Sequence, residues 1–251
     1  MTLITSSKNE LIKSLRKLTR KKNREEQQRY LLEGVHLVRE AIKAQQKLIM
    51  LLATTDFQQV DWLPTDVPTY WLTPEVAQAL GTTVTTQGIF AVLPLPVTTV
   101  PQTYTGTWLL LDGVQDPGNI GTMVRTADAA GLSGVVLGQG SADLYSAKVL
   151  RSMQGSHLHI PIYQGELTTW LQAFKAAQVP IFGSELNPAA VAFHQIPAQK
   201  NFALIMGNEG NGMQAALLAQ TDQNLYIPIQ GRAESLNVAI AAGILLFQLK
   251  D

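Results

Sequence analysis

The chain has 251 residues, 46% of them hydrophobic, with 19 Lys+Arg balanced by 19 Asp+Glu and no Cys. That length allows one large or two modest domains, each able to bury a core without a covalent staple. The missing cysteine excludes disulfides, thiolate zinc sites, iron–sulfur clusters and every thiol nucleophile. The start, MTLITSSKNELIKSLRK, has no apolar signal-peptide core, and the most apolar stretch, Leu236 to Leu249, is shorter than the roughly 20 residues a membrane span requires. A cytoplasmic protein without membrane attachment is expected.

Charge is uneven along the chain. Lys8 to Arg29 carries nine basic residues, among them Lys8, Lys13, Arg16, Lys17, Arg20, Lys21 and Lys22, against Glu10, Glu25 and Glu26. The remaining residues hold ten basic and sixteen acidic groups, so any positive field comes from this one segment. Leu11, Ile12, Leu15 and Leu18 recur at helical spacing, which predicts a helix with one face pinned to the domain and the cations on the other. Those cations are candidates for the phosphates of a polyanion. A solvated helix serving only solubility accounts for the charge equally well.

Next, YLLEG, VHLVREAIKA, KLIMLLA, PEVAQAL and GIFAVL alternate apolar runs with helical patterns, as a small α/β unit does. Pro94 to Gly106, PLPVTTVPQTYTG, has three prolines, four threonines and no charge, which favours extended backbone. The domain boundary is expected here: a domain over 1–97, a linker over 98–106 and a second domain over 107–251. In the second, TWLLLD, SGVVLG, HIPIY, VPIFGS, FALIMG and LYIPI read as buried parallel strands separated by helix-like stretches.

Ligands of open parallel sheets bind beyond the carboxyl ends of the strands. Three glycine-rich segments sit at such ends. In DGVQDPGNIGTMVRTADAAG, Pro117, Gly118 and Gly121 predict a tight turn into a helix from about Ile120 to Gly131. Asn119 and Arg125 then offer an amide and a cationic fork, although Asn119 as a helix cap and Arg125 paired with Asp128 would explain both residues structurally. GNEGNGM, around Glu209, fits neither a P-loop nor a dinucleotide fingerprint. In QGRAESLNVAIAAG, Ser235 reads as the N-cap of a helix buried all round, and Asn237 as an amide that needs partners inside it. His157 and His159 would share a strand face, but no carboxylate cluster completes a metal site, and none is expected.

Taken in this order, Asn119 with Arg125, GNEGNGM and IPIQGRAESLNVAIA resemble the motifs of the SpoU, or TrmH, family of SPOUT RNA 2′-O-ribose methyltransferases. KNELIKSLRKL followed by YLLEGVHLVREAI is similar to the substrate-binding domain preceding the catalytic domain in ribosomal-RNA members. The resemblance implies a small α/β substrate-binding domain followed by an α/β domain with a parallel sheet and a deep trefoil knot. It also implies a homodimer, S-adenosylmethionine as cofactor and RNA as partner, with neither metal nor membrane. It carries cofactor contacts onto Gly207, Ile227, Gln230, Leu236 and Asn237, and catalytic or substrate roles onto Asn119, Arg125, Glu209, Ser235 and Asn237. Gln230 departs from the Met or similar residue of many members.

The implied reaction is methylation of a ribose 2′-oxygen. Ribosomal RNA of the 23S type, with guanosine favoured, is the preferred substrate, and transfer RNA the alternative. A catalytically silent RNA-binding factor and a dinucleotide-dependent oxidoreductase are the competing functions. The intact polar residues oppose the first, and the missing fingerprint opposes the second.

Overall fold

A computed structural model describes residues 2–97 and 99–251; Thr98, the first residue of the expected linker, lies outside the described residues. The chain forms two compact units: Met1–Val97 with Asp143–Leu158, and Thr98–Ala142 with His159–Asp251.

The first unit contains β1 (Thr2–Ile4), α1 (Glu10–Lys17), α2 (Lys21–Gln27), β2 (Arg29–Glu33), α3 (Val35–Lys43), β3 (Met50–Thr54), β4 (Thr69–Leu72), α4 (Pro74–Leu80) and β5 (Ile89–Pro94). Its mixed sheet runs β1-β4-β3-β5-β2, with β2 and β3 antiparallel to β5. Ile12, Leu15 and Leu18 pack with Leu52, Leu72, Val76 and Phe90 in the core. Burying side chains of this size stabilises the unit by roughly 1.5–3 kcal/mol each, before entropy is charged.

The basic segment is two helices, where a single one was expected. Asn9 caps α1 by accepting the amide of Leu11 at 2.9 Å, and Arg20 is extended (φ −102°, ψ 132°), which ends the first helical run before Lys21. α2, KKNREEQ, has no apolar face. It is anchored instead by Arg24, whose guanidinium is 2% exposed, donates to Leu18 O at 2.7 Å and pairs with Asp143. Asp143 begins the second stretch of this unit, which also holds α6 (Ala147–Met153). There Tyr145 packs on the buried Tyr30 with ring centroids 4.9 Å apart.

The second unit contains β6 (Thr107–Leu111), α5 (Pro117–Ala129), β7 (Gly134–Leu137), β8 (Ile162–Gln164), α7 (Leu167–Ala176), β9 (Ile181–Ser184), β10 (Val191–Ala192), β11 (Phe202–Met206), α8 (Ala215–Leu218), β12 (Gln223–Tyr226) and α9 (Val238–Leu249). All six expected strands form, and the short β10 adds a seventh. The sheet is wholly parallel, in the order β10-β12-β9-β11-β6-β7-β8. Trp108, Leu110, Val136, Ile181 and Ile205 of the strands meet Trp170 and Phe174 of α7 in an aromatic-rich core.

Four local expectations are corrected. α5 starts at Pro117, three residues early, because proline suits the first helical turn and Asp116 caps it by accepting the Asn119 amide at 2.9 Å. The cap of α9 is Asn237, which accepts the amides of Ala239 at 2.9 Å and Ile240 at 3.3 Å; Ser235 lies outside the helix. Nor is α9 buried all round, since Ile240 and Phe247 are 54% and 62% exposed. His157 sits in a 3₁₀ turn of the first unit while His159 belongs to the second, so the two share no strand face. Among the described residues no helix is long and apolar enough to cross a membrane, and no group of three His, Asp or Glu could hold a metal ion.

Candidate active site

β6 and β11 are adjacent in the sheet, although about ninety residues separate them in the chain. From β6 the chain moves outward to β7 and β8, then crosses to β9 and returns to fill the place between β9 and β6. The switch point of a parallel sheet leaves a crevice at its carboxyl ends. Two of the three glycine-rich segments start there.

At that point Glu209 receives three donors: Asn119 Nδ2 at 3.0 Å and the backbone amides of Gln115 and Asp116, both at 3.2 Å. Burial pushes the Glu209 carboxyl up, but the bonds from Asn119 and the backbone amides outweigh it and hold the group below the usual carboxylate range. Asn119 Oδ1 in turn accepts Asn237 Nδ2 at 2.9 Å. Glu209, Asn119 and Asn237, one from each glycine-rich segment, thus form a continuous hydrogen-bonded chain. Its last member also caps α9, which packs on α5.

Two glycines allow the middle segment to fold this tightly. A Cβ on Gly207 would collide with the backbone of Gly212 and Met213, and Gly212 has φ +67°. Asn208 pairs with Gly212 through two backbone bonds of 2.9 and 3.0 Å, accepts the amides of Gly210 and Asn211 on Oδ1, and donates to Gly113 O at 2.8 Å. Asp112, 2% exposed at the end of β6, accepts the amide of Gln214 at 2.7 Å. Sequence reasoning missed both. The signal for Asn208 was present as Asn in a glycine turn, where an Asx side chain organises the backbone that follows. Nothing local identified the partner of Asp112.

A cavity of about 230 Å³ opens beside this junction. Ile227, Ser235 and Leu236 line it, as does the apolar Ile229. Gln230 is exposed and outside the lining, and Gly207 is buried at the end of β11. Glu185 and Glu234 also line the cavity and were not anticipated. Glu185 Oε2 stands 3.1 Å from where a Gly212 Cβ would be, which places the carboxylate beside the glycine turn. Apolar walls suited to a nucleobase and carboxylates suited to hydroxyls and cationic groups fit S-adenosylmethionine.

Arg125 lies farther along α5, exposed, with no hydrogen bond or ion pair to Asp128 or any other group among the described residues. In the first unit Lys8, Lys13, Arg16, Lys17, Arg20, Lys21 and Lys22 are all exposed. Lys13 pairs with Glu10 at 2.8 Å, and Lys21 and Lys22 approach Glu25 and Glu26 at 3.8 Å. Arg16, Lys17 and Arg20 have no ion pair among the described residues and line one open depression with Lys13.

Residues 106–247 match the SpoU rRNA Methylase family, and residues 9–91 match the MRM3-like substrate binding domain. The chain is 45% identical over 250 residues, covering 100% of both proteins, to the 23S rRNA (guanosine(2553)-2′-O)-methyltransferase RlmP of Bacillus subtilis. Among solved structures it is similar to an AdoMet-bound rRNA methyltransferase from Sinorhizobium meliloti, with TM-score 0.87, 31% identity and coverage of 98% of this chain and 96% of that one. The SpoU methyltransferase AviRb from Streptomyces viridochromogenes, in complex with AdoMet, superposes with TM-score 0.83 and 26% identity over 96% and 97% of the two chains.

Proposed function

The chain belongs to the SpoU rRNA methylase family, and from that premise we propose that it methylates a ribose 2′-hydroxyl of ribosomal RNA, with a guanosine of 23S-type RNA as the target. The observation that carries the reading is the bonded chain Glu209–Asn119–Asn237, which joins all three glycine-rich segments beside a cavity that fits the cofactor. Similarity over the whole length to a 23S rRNA guanosine methyltransferase supports the substrate.

S-adenosylmethionine, when bound, supplies a methyl group already activated by its sulfonium. The protein has to aim and ionise the ribose oxygen, and positioning alone supplies roughly 7–11 kcal/mol in favourable cases. Arg125 cannot be the base, because a guanidinium stays protonated and has no lone pair to offer. It holds the target phosphate and stabilises the developing 2′-alkoxide. Glu209 is a poor base as well: three donors occupy its carboxylate and keep it ionised. It is the strut that fixes Asn119, and the proton leaves to phosphate or water. Asn119, Ser235 and Asn237 orient ribose and cofactor; Gly207, Ile227, Leu236 and the backbone near Gln230 form the cofactor's surroundings.

The remaining parts of the reading rest on single features. The exposed cations Lys8, Lys13, Arg16, Lys17, Arg20, Lys21 and Lys22 take RNA phosphates. The protein works as a homodimer in the cytoplasm, and Ile240 and Phe247, exposed seven residues apart on α9, support a face covered by a second copy. The trefoil knot is part of the same picture, supported by the tie from the start of α9 to α5.

Mapping 2′-O-methyl groups in total RNA from cells with and without the gene tests the proposal. Loss of one site in large-subunit RNA is expected. Loss in transfer RNA alone would overturn the substrate, and no loss anywhere would leave a silent RNA-binding factor.

A further inference from the structure

Resting on that reading of the cavity, we propose that Glu185 and Glu234 make it select S-adenosylmethionine over S-adenosylhomocysteine by charge, so that the spent cofactor is released. The two compounds share the nucleoside and the amino-acid tail. They differ by one methyl group and by the positive charge of the sulfonium, which leaves the first a net cation and the second neutral at pH 7. Apolar walls such as Ile227, Ile229 and Leu236 contact what the two share, and recognition of one methyl by shape yields discrimination of only about tenfold to a hundredfold.

Charge is the larger difference, and the cavity is one-sided in charge. Its lining holds two carboxylates, Glu185 and Glu234, and no Lys, Arg or His among the described residues. Tyr226 is its one other titratable group. Arg232, two positions before Glu234, lies outside the lining. The carboxylates come from separate segments, one directly after β9 and one in the loop before α9. Glu185 is fixed by its own backbone, whose amide donates to Leu225 O at 3.1 Å, and it faces the Gly207–Gly212 turn. Glu185 is half-buried and Glu234 exposed, so solvent screens the field of Glu185 at a bound cation less than that of Glu234. Among the described residues neither carboxylate has a protein cation as partner.

Calorimetric titration of the full-length protein with S-adenosylmethionine, S-adenosylhomocysteine and sinefungin, which carries an ammonium near the sulfonium position, tests this. In the parent the two cations bind more tightly than the neutral product, and the ratio narrows as salt is raised. Glu185→Gln and Glu234→Gln each lower the ratio of cation to product affinity by about three- to tenfold, while affinity for S-adenosylhomocysteine stays, which also reports intact folding. Equal weakening of all three ligands, or an unchanged ratio in both variants, overturns the charge-selection role and leaves the methyltransferase reading standing. A parent that binds none of the three overturns both.

Discussion

Asn237 donates from Nδ2 to Oδ1 of Asn119 at 2.9 Å, a bond that closes a loop of 118 residues and joins the starts of the two helices α5 and α9. The same Asn237 side chain accepts two amides with its other end, so one residue caps a helix and fixes a site at once. The two duties are separable. Ser caps as well as Asn but is too short to reach Asn119. Asn237→Ser should stay within about 0.5 kcal/mol of the parent in denaturant melts yet lose most methyl transfer. Asn237→Ala should lose both, at about 1 kcal/mol for the cap. Equal activity of the Ser variant and the parent would remove the bond to Asn119 from the mechanism.

Arg125 is exposed and has no partner among the described residues, so its replacement costs the fold little. Arg125→Lys keeps the charge but not the fork. The expected loss in kcat is about 10²-fold, the order seen when one stabilising donor is removed, with thermal stability unchanged. Retention of most of the parental rate would show that neither bidentate grip nor fixed geometry matters.

Glu209 supplies a pH prediction. Burial raises its carboxyl, but the bonds from Asn119 and the backbone amides bring it below the ordinary value. A folded-state pKa below the unfolded one gives stability that is present above the unfolded value, about 4.3 for Glu, and is lost as pH falls through the folded value. The side chain is largely exposed, so solvent screens the effect and keeps it small. Melting curves of the parent and Glu209→Gln should differ at neutrality and converge in acid below the ordinary range. The pH–rate profile should show no inflection from this group near pH 7; one that disappears in Glu209→Gln would make Glu209 the base.

In the first unit Arg24 and Asp143 form an ion pair in which Arg24 is 2% and Asp143 30% exposed. Removing one partner of a buried pair strands the other. Asp143→Ala, which leaves the guanidinium buried, should cost about 3 kcal/mol, and Arg24→Met, which buries an apolar chain in its place, should cost less. The opposite order in chemical denaturation would mean that Arg24 contributes through its bond to Leu18 O and its packing rather than through the pair.

RNA affinity should depend on Arg16, Lys17 and Arg20 as phosphate contacts. Replacing one by Ala should weaken binding across RNA sequences and reduce the slope of log K against log salt by about one unit. An unchanged slope for all three would move the RNA to another surface.

Much of the fold was readable in the sequence because its signals are local. TWLLL, GVVL and FALIM are continuous apolar runs that suit only strands covered on both faces, and the Pro94 to Gly106 stretch marks where one pattern stops. Local rules failed where two residues competed for one duty: Asn237, not Ser235, took the cap of α9, because its side chain could serve the helix and Asn119 together. α2 shows another limit, since nothing in KKNREEQ indicates that one of its cations is buried against a carboxylate 119 positions away.

Residue types, their order and the motifs were enough to name a family and the kinds of group a methyl-transfer site needs. Which of those groups touch depended on the placing of β11 between β9 and β6, for only then do the ends of β6 and β11 face each other and bring Glu209 to Asn119. Strand neighbours are chosen by the burial of whole faces and by the pairing of backbone bonds between distant segments. Periodicity along the chain records which face of each strand is buried, and carries no information about which strand lies beside it.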